Sequence, residues 1–286
     1  MQNWKNRQIF LVNSAFFIIF APVKYDTCMA QPDIFNTNIV GPIHSRRLGI
    51  SLGVNLLPKD GKICSFDCVY CECGWNRDHR GGRFPLANVV MQELEEKLRQ
   101  MQHDGAPLDV ITFAGNGEPT LHPDFDKVID RTLQLRDEYY PSAKVSVLSN
   151  ATQIGNPRVH AALLRVDNNI LKIDGAWDET IRKIDQPGDA NYSVRRVVEG
   201  MKSFQGQLIV QTMFVRGEHD GQCIDNTTPE EVAAWQALMR EIRPHQIMVY
   251  SLDRPTPEPN LTRVSKEEMA QLVAPLVADG FNVSIA

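Results

Sequence analysis

The sequence lacks several things that would fix its class at once. It has no low-complexity tract and no close internal repeat, so neither a solenoid nor a disordered linker protein is indicated. It has no excess of basic charge: 30 Lys and Arg stand against 35 Asp and Glu, a formal net charge of -5. That balance gives no electrostatic footprint for a general nucleic-acid binder and favours a small molecule or a protein as partner. It also lacks an uninterrupted apolar run of membrane-spanning length. The longest candidate, Ile9 to Val23, is short and broken by Asn13 and Ser14. Its basic lead looks superficially like a signal peptide, but no small-x-small cleavage site follows. Met29 is a plausible start in its own right, so residues 1–28 read as a disordered leader or a misassigned start, and residues 29–286 as a single domain. Finally, cysteine is scarce, six residues in 286, and four of the six lie between Cys64 and Cys73. Clustered cysteines exclude a secreted disulfide framework and point to a reducing, cytoplasmic setting with a metal or catalytic site.

What is present after the leader is a regular alternation of strand-like and helix-like segments. "ISLGVNLL", "DVITFAG", "KVSVLSN", "NILKID", "QLIVQTMFV" and "HQIMVY" read as six strands. Between them, Leu86, Val90, Leu94, Leu98 and Met101 mark one amphipathic helix, and residues 123–139 and the stretch around 191–204 supply two more. Thr228 and Glu231, with Pro229 at the first helical position, form a capping box; Ser265 and Glu268 form a second, ahead of a helix that Pro275 is expected to kink. Six strand-helix units joined by right-handed crossovers predict an α/β fold, a partial (β/α)6 barrel. Its working residues are expected at the carboxyl ends of the strands.

The chemically unusual segment, "KICSFDCVYCECGW", lies at such an end. Half-cystines crowded into one short loop cannot pair without strain. Three thiolates from Cys64, Cys68 and Cys71 can hold three corners of a [4Fe-4S] cluster and leave the fourth iron open for chemistry. A structural zinc site would use two separated pairs, and no second pair is visible. A cluster with four protein ligands would need Cys73, whose short spacing after Cys71 suits a loop that points it away.

The spacing of Cys64, Cys68 and Cys71, with Tyr70 before the third, resembles the CxxxCxΦC signature of the radical S-adenosylmethionine (radical SAM) enzymes. The resemblance extends from about Gly41 to the end of the chain. A second matching segment is "GNGEP" after the second strand, similar to the family's GGEP turn with Asn116 where glycine is commoner. The resemblance implies that Cys64, Cys68 and Cys71 hold the cluster and that Tyr70, Gly115, Asn116, Gly117, Glu118, Pro119 and Asn150 bind S-adenosylmethionine; Asp174 joins them as a cofactor-binding candidate from its place at a strand end. It further implies reductive cleavage of that cofactor to a 5′-deoxyadenosyl radical, which abstracts hydrogen from a substrate. A donor such as flavodoxin or ferredoxin would supply the electron, and no membrane partner is implied. The substrate is open among a small molecule, a peptide and, less in keeping with the acidic balance, tRNA.

Other candidates are softer. Lys172 and Asp174 share one face of their strand and are expected in the barrel lumen, as a structural ion pair or as cofactor or substrate contacts. Gln211, Met213 and Tyr250 share the same expectation. The loop "RGEHDGQCIDNTTPE" carries His219, Cys223 and Asn226 to the mouth of the barrel, which makes Cys223 a catalytic candidate beside Lys172 and Asp174. Arg46 and Arg47 are suited to a phosphate or carboxylate, or to capping the open end of the barrel. The segments "GPIHSRRLGISLGVNLLP" and "YSLDRPTPEP" look like the branch that includes tRNA wyosine synthase and its uncharacterised bacterial relatives, although that enzyme's additional cysteines and reactive lysine have no evident counterpart here. The competing reading is a non-catalytic iron-sulfur carrier or electron-transfer protein, which would need no "GNGEP" turn.

Overall fold

The computed structural model describes residues 34–45, 47–78 and 82–286. The leader at 1–28 with Cys28, the alternative start at Met29, and Arg46 lie outside the described residues. In chain order the structure runs β1 (Ile39–Ser45), β2 (Gly49–Val54), α1 (Ala87–His103), β3 (Val110–Phe113), a 3-10 turn at Pro119–Leu121, α2 (Phe125–Tyr139), β4 (Lys144–Ser149), α3 (Pro157–Leu163), β5 (Asn168–Lys172), α4 (Asp178–Ile184), α5 (Val194–Lys202), β6 (Ile209–Met213), β7 (Val215–His219), β8 (Gln222–Asp225), α6 (Pro229–Ile242), β9 (Gln246–Tyr250), β10 (Leu261–Arg263), α7 (Lys266–Ala278) and β11 (Val283–Ile285).

Eight strands form one sheet in the order β1-β2-β3-β4-β5-β6-β9-β11, and β10, β7 and β8 form a small antiparallel sheet. The six strands expected from the sequence are β2, β3, β4, β5, β6 and β9; they are adjacent in that order and parallel throughout. The sheet curls into a half barrel, the partial (β/α)6 architecture. The strands alternate between two apolar environments, as a sheet buried on both faces must. Leu52, Val54, Ile111, Phe113, Val145, Val147, Leu171, Val210, Ile247 and Val249 are buried in the main core beneath the helices. Ile170, Ile209 and Met248 form a separate cluster, with Leu48 and Leu148 against it, on the concave side. That small cluster is the floor of the lumen.

The structure refines several expectations. "NILKID" leaves the sheet at Lys172, so Asp174 sits just beyond the strand end. "QLIVQTMFV" is two strands: β6 ends at Met213, and Val215 opens β7 of the small sheet. The α2 helix begins at Phe125, two residues after the expected start at 123. Both expected caps form at the N-cap side chain: Thr228 Oγ1 accepts from the Glu231 N–H at 3.3 Å, and Ser265 Oγ from the Glu268 N–H at 3.1 Å. The reciprocal half is replaced by tertiary contacts. The Glu231 carboxylate accepts from the Ala176 N–H and from Thr180 Oγ1, and that of Glu268 from Arg216. Helix α7 runs through Pro275 without a break in its span.

Candidate active site

The cysteine loop leaves β2 and is fixed by its own side chains. The Lys62 ammonium, with the side chain 1% exposed, donates to the Gly74 carbonyl at 2.7 Å and pairs with Asp67 at 3.2 Å. Asp67 Oδ1 also accepts from the Asn76 N–H at 2.8 Å, and Asn76 Nδ2 donates to the carbonyls of Cys64 and Phe66. The two ends of the loop are thus tied together around one buried cation. The loop then docks on the turn after α4: the Asp67 N–H donates to the Asp185 carbonyl (2.9 Å), the Val69 N–H to Ile184 (2.9 Å), and the Gly188 N–H to Ser65 (2.9 Å).

Its other neighbour is the "GNGEP" turn after β3. The Ile63 N–H donates to the Asn116 carbonyl at 3.0 Å, and the Glu118 N–H to the Ile63 carbonyl at 3.1 Å, forming a short parallel bridge between Ile63 and Gly117. The bridge explains one of the glycines. Gly117 has φ +130°, and a Cβ there would lie 1.9 Å from the Ile63 carbonyl oxygen. The side chains of this turn serve the fold. Asn116 is fully buried, with Nδ2 donating to the carbonyls of Phe35 and Pro58 (both 2.8 Å) and Oδ1 accepting from the Phe35 N–H (2.8 Å). Glu118, 2% exposed, accepts from the Thr120 N–H (3.0 Å), Thr120 Oγ1 (2.5 Å), Ser149 Oγ (2.9 Å) and the Asn150 N–H (2.7 Å). It is a clamp between the turn and the end of β4. The clamp places Asn150, whose Nδ2 lies 2.9 Å from Ser65 Oγ and 3.6 Å from the Cys64 sulfur.

None of the five described cysteines is in a disulfide. Burial, reinforced by Glu118, pushes the Cys64 thiol up to about 12, and burial raises Cys68 well above its ordinary range. Cys71 moves the other way, to about 5, chiefly through a hydrogen bond from Cys73, with the Lys62 charge adding to it; Cys73 rises in return. Burial works against the Lys62 ammonium, but the surrounding Cys71, Cys64, Cys68 and Asp67 hold its pKa above the ordinary lysine value. Cys73 also contacts the Gly115 carbonyl at 3.5 Å.

On the opposite side of the loop, Lys172 and Asp174 meet as the sequence suggested. Lys172 Nζ lies 3.3 Å from Asp174, 2.8 Å from the Tyr70 hydroxyl and 3.0 Å from the Cys68 sulfur. The Tyr70 hydroxyl donates to Asp174, which also accepts from the Met213 N–H at 2.7 Å. The sequence reading missed Asp185, buried in the "IDQPG" turn, whose Oδ1 takes the tightest contact with Lys172. Burial raises Asp185 to about 7 in spite of that lysine. A turn-forming Asp-Gln-Pro-Gly run was the available signal.

A cubic cluster puts each thiolate on a different iron, whereas a single ion needs ligands that converge. Among the described residues no three His, Cys, Asp or Glu groups converge in the second way. Three thiols spread along one loop, with Lys62 and Lys172 beside them, fit the first arrangement in donor type. The remaining rim is formed by later segments. Arg254 pairs with Glu72 at 2.9 Å, the Glu258 N–H reaches the Val69 carbonyl at 3.4 Å, and His219 stacks on Trp75 while bonding Glu258 at 2.7 Å. Asn226 is structural, bonded to the carbonyls of Asp174 and Met213 (both 2.7 Å) and to the Val215 N–H (2.9 Å). Cys223 is exposed on β8. No helix among the described residues is long and apolar enough to cross a membrane.

Comparison with known proteins agrees with this geometry. A UPF0026 protein of Synechocystis is 31% identical over 230 residues, covering 77% of each chain. GTPase Obg of Brachyspira hyodysenteriae is 28% identical over 81% of this chain, which spans 32% of that protein's length. Among solved structures, TYW1 with a lysine-pyruvate adduct bound superposes with a TM-score of 0.56 at 14% identity, covering 82% of this chain and 75% of the other, and so shares the fold. Residues 59–227, more than half of the chain and including both the cysteine loop and the "GNGEP" turn, match the family model described as "Radical SAM superfamily". The chain belongs to the radical SAM superfamily, whose members work with a [4Fe-4S] cluster and S-adenosylmethionine.

Proposed function

We propose that this protein is a radical SAM enzyme in which Cys64, Cys68 and Cys71 hold the cluster and the turn at Gly115, Asn116, Gly117, Glu118 and Pro119, with Asn150, Tyr70 and Asp174 nearby, frames the S-adenosylmethionine site. One observation carries the reading: the Ile63–Gly117 bridge fastens the cysteine loop directly to the "GNGEP" turn. When bound, the cluster would supply the one electron that cleaves S-adenosylmethionine to methionine and a 5′-deoxyadenosyl radical able to take a hydrogen atom from the substrate.

The chain's own residues prepare that chemistry. Lys62 and Lys172, although each also pairs with acids, put positive charge next to the thiols and so lower the cost of ionising them: Lys62 acts on all three, and Lys172 contacts the buried Cys68. Asn116 spends its side chain on the fold, so any cofactor contact from this position comes from elsewhere in the turn. Glu118 acts through Asn150, which it holds beside Ser65. Cys223, exposed on β8, is outside the central network and takes no role in this reading. Clustered thiols outside disulfides suit a reducing, cytoplasmic setting with a flavodoxin- or ferredoxin-type donor.

The test is ligand-specific. Full-length protein reconstituted anaerobically with iron and sulfide should hold about four irons per chain, the composition of a [4Fe-4S] centre. Cys68→Ala should lose the cluster while Cys73→Ala keeps it. An intact cluster in Cys68→Ala sinks the ligand assignment. A cluster that forms but never binds S-adenosylmethionine would instead favour an iron-sulfur carrier.

A further inference from the structure

We propose that the lumen of the half barrel binds the carboxylate of a small-molecule substrate through Arg47, with Gln211 and Tyr250 completing the site. The inference rests on the enzyme reading above and narrows its substrate class.

The lumen face can be identified strand by strand. Lys172 on β5 is in register with Gln211 on β6, and Gln211 with Met248 on β9; Met213 and Tyr250 are paired one layer further toward the carboxyl end. Met248 belongs to the concave-side cluster with Ile170 and Ile209, so alternation puts Gln211 and Tyr250 on the same side. Gln211 is 6% exposed, and its Nε2 is buried without an acceptor. Arg47 reaches the same place from the turn between β1 and β2. Arg47 is half-buried as a residue, its guanidinium carbon lies 4.6 Å over the Tyr250 ring, and its Nη1 is buried with no hydrogen-bond partner among the described residues. Neighbouring Leu48 packs on the floor cluster, which seats the turn against the lumen.

Buried donors without partners are costly, and a guanidinium without a counterion more so. The cations at the cysteine loop are already satisfied: Lys62 by Asp67, and Lys172 by Asp174 and Asp185. Arg47 alone among these three has no carboxylate within ion-pair distance among the described residues. One cation without an ion pair, stacked on Tyr250, and an amide donor one layer below Tyr250 on the neighbouring strand match one negative charge on a planar, two-oxygen group. A phosphate monoester, carrying nearly two charges near neutrality, would leave one of them unbalanced in a lumen that already holds Asp174 and Asp185.

Saturation-transfer NMR on the cluster-loaded, full-length protein tests this with three probes: propionate, its neutral isostere propionamide, and methyl phosphate. Propionate should show transfer and propionamide none, and propionate should bind at least tenfold more weakly to Arg47→Met and to Gln211→Leu. Because Arg47 has no ion-pair partner among the described residues and loses only its stacking on Tyr250, Arg47→Met should lower the melting temperature by no more than about 4 °C. Equal transfer to propionate and propionamide, preference for methyl phosphate, undiminished propionate binding by Arg47→Met, or a larger fall in its melting temperature would each overturn the proposal. Failure of the enzyme reading is separately visible, as absent iron or absent S-adenosylmethionine binding in the same sample.

Discussion

The Lys172 ammonium sits 3.0 Å from the Cys68 sulfur and 3.3 Å from the Asp174 carboxylate, with Asp185 in direct contact as well. A single ammonium is therefore shared between one proposed cluster ligand and two acids. Removing it leaves Asp174 and Asp185 buried without a counterion. Lys172→Met should cost about 3–5 kcal/mol, the range for breaking a buried pair. In calorimetry of the reduced, cluster-free protein this appears as a fall in melting temperature on the order of 10 °C. A fall of under about 2 °C would show that the acids find other partners.

Gly117 offers a backbone test with an internal control. Gly117→Ala forces a side chain into φ +130° and against the Ile63 carbonyl. The backbone conformation alone costs about 1–3 kcal/mol, and displacement of Ile63 should reduce iron incorporation. Gly105 also has a positive φ, +67°, but a Cβ there would meet nothing within 4 Å. Gly105→Ala should cost only about 1 kcal/mol and load iron normally. Equal iron content in the two variants would remove the bridge from the account.

Glu118→Ala separates clamp from cluster ligand. The substitution takes the acceptor from two buried backbone N–H groups, those of Thr120 and Asn150, at about 1–3 kcal/mol each. Iron content should stay near the wild-type level, while S-adenosylmethionine affinity falls about tenfold or more, a loss of ~1.4 kcal/mol, as Asn150 loses its anchor. Unchanged affinity, read by calorimetric titration, would leave Glu118 as a turn former only.

Among the exposed carboxyls held below their ordinary range, Glu241 is shifted far enough to test. Hydrogen bonds from Arg195 and Lys202 hold the Glu241 carboxyl down at about 2 in the folded chain. A depressed folded pKa contributes stability above the ordinary glutamate value of 4.5, and that contribution is lost as pH falls from there toward 2. Because the group is exposed, the effect is small. Urea unfolding at pH 5 and pH 3 should show a smaller loss for Glu241→Gln than for wild type; identical losses would exclude the contribution.

The six parallel strands were legible because each is a short apolar run bounded by turn residues, a pattern that burial on both faces imposes. The elements that were not legible lack that signal. Helices α3 and α4 have seven residues each, too short for a face to repeat. β7 and β8 are only partly buried, so their composition follows the hairpin turn rather than a core. At the site, cysteine spacing and its resemblance to the CxxxCxΦC signature pointed to the proposed ligands, whereas Asp185 is defined by what surrounds it after folding. Asn116 shows the same limit. Its place in the turn that resembles GGEP implied a cofactor contact, and only the structure reveals Phe35 and Pro58 as partners of its side chain.

The most direct test of the central claim is anaerobic: reconstitute the full-length chain with iron and sulfide, add dithionite and S-adenosylmethionine, and measure 5′-deoxyadenosine by liquid chromatography. The expected result is 5′-deoxyadenosine from the wild type and none from Cys68→Ala. A fully loaded wild-type protein that binds S-adenosylmethionine yet forms no 5′-deoxyadenosine, with or without small carboxylic acids present, would contradict it.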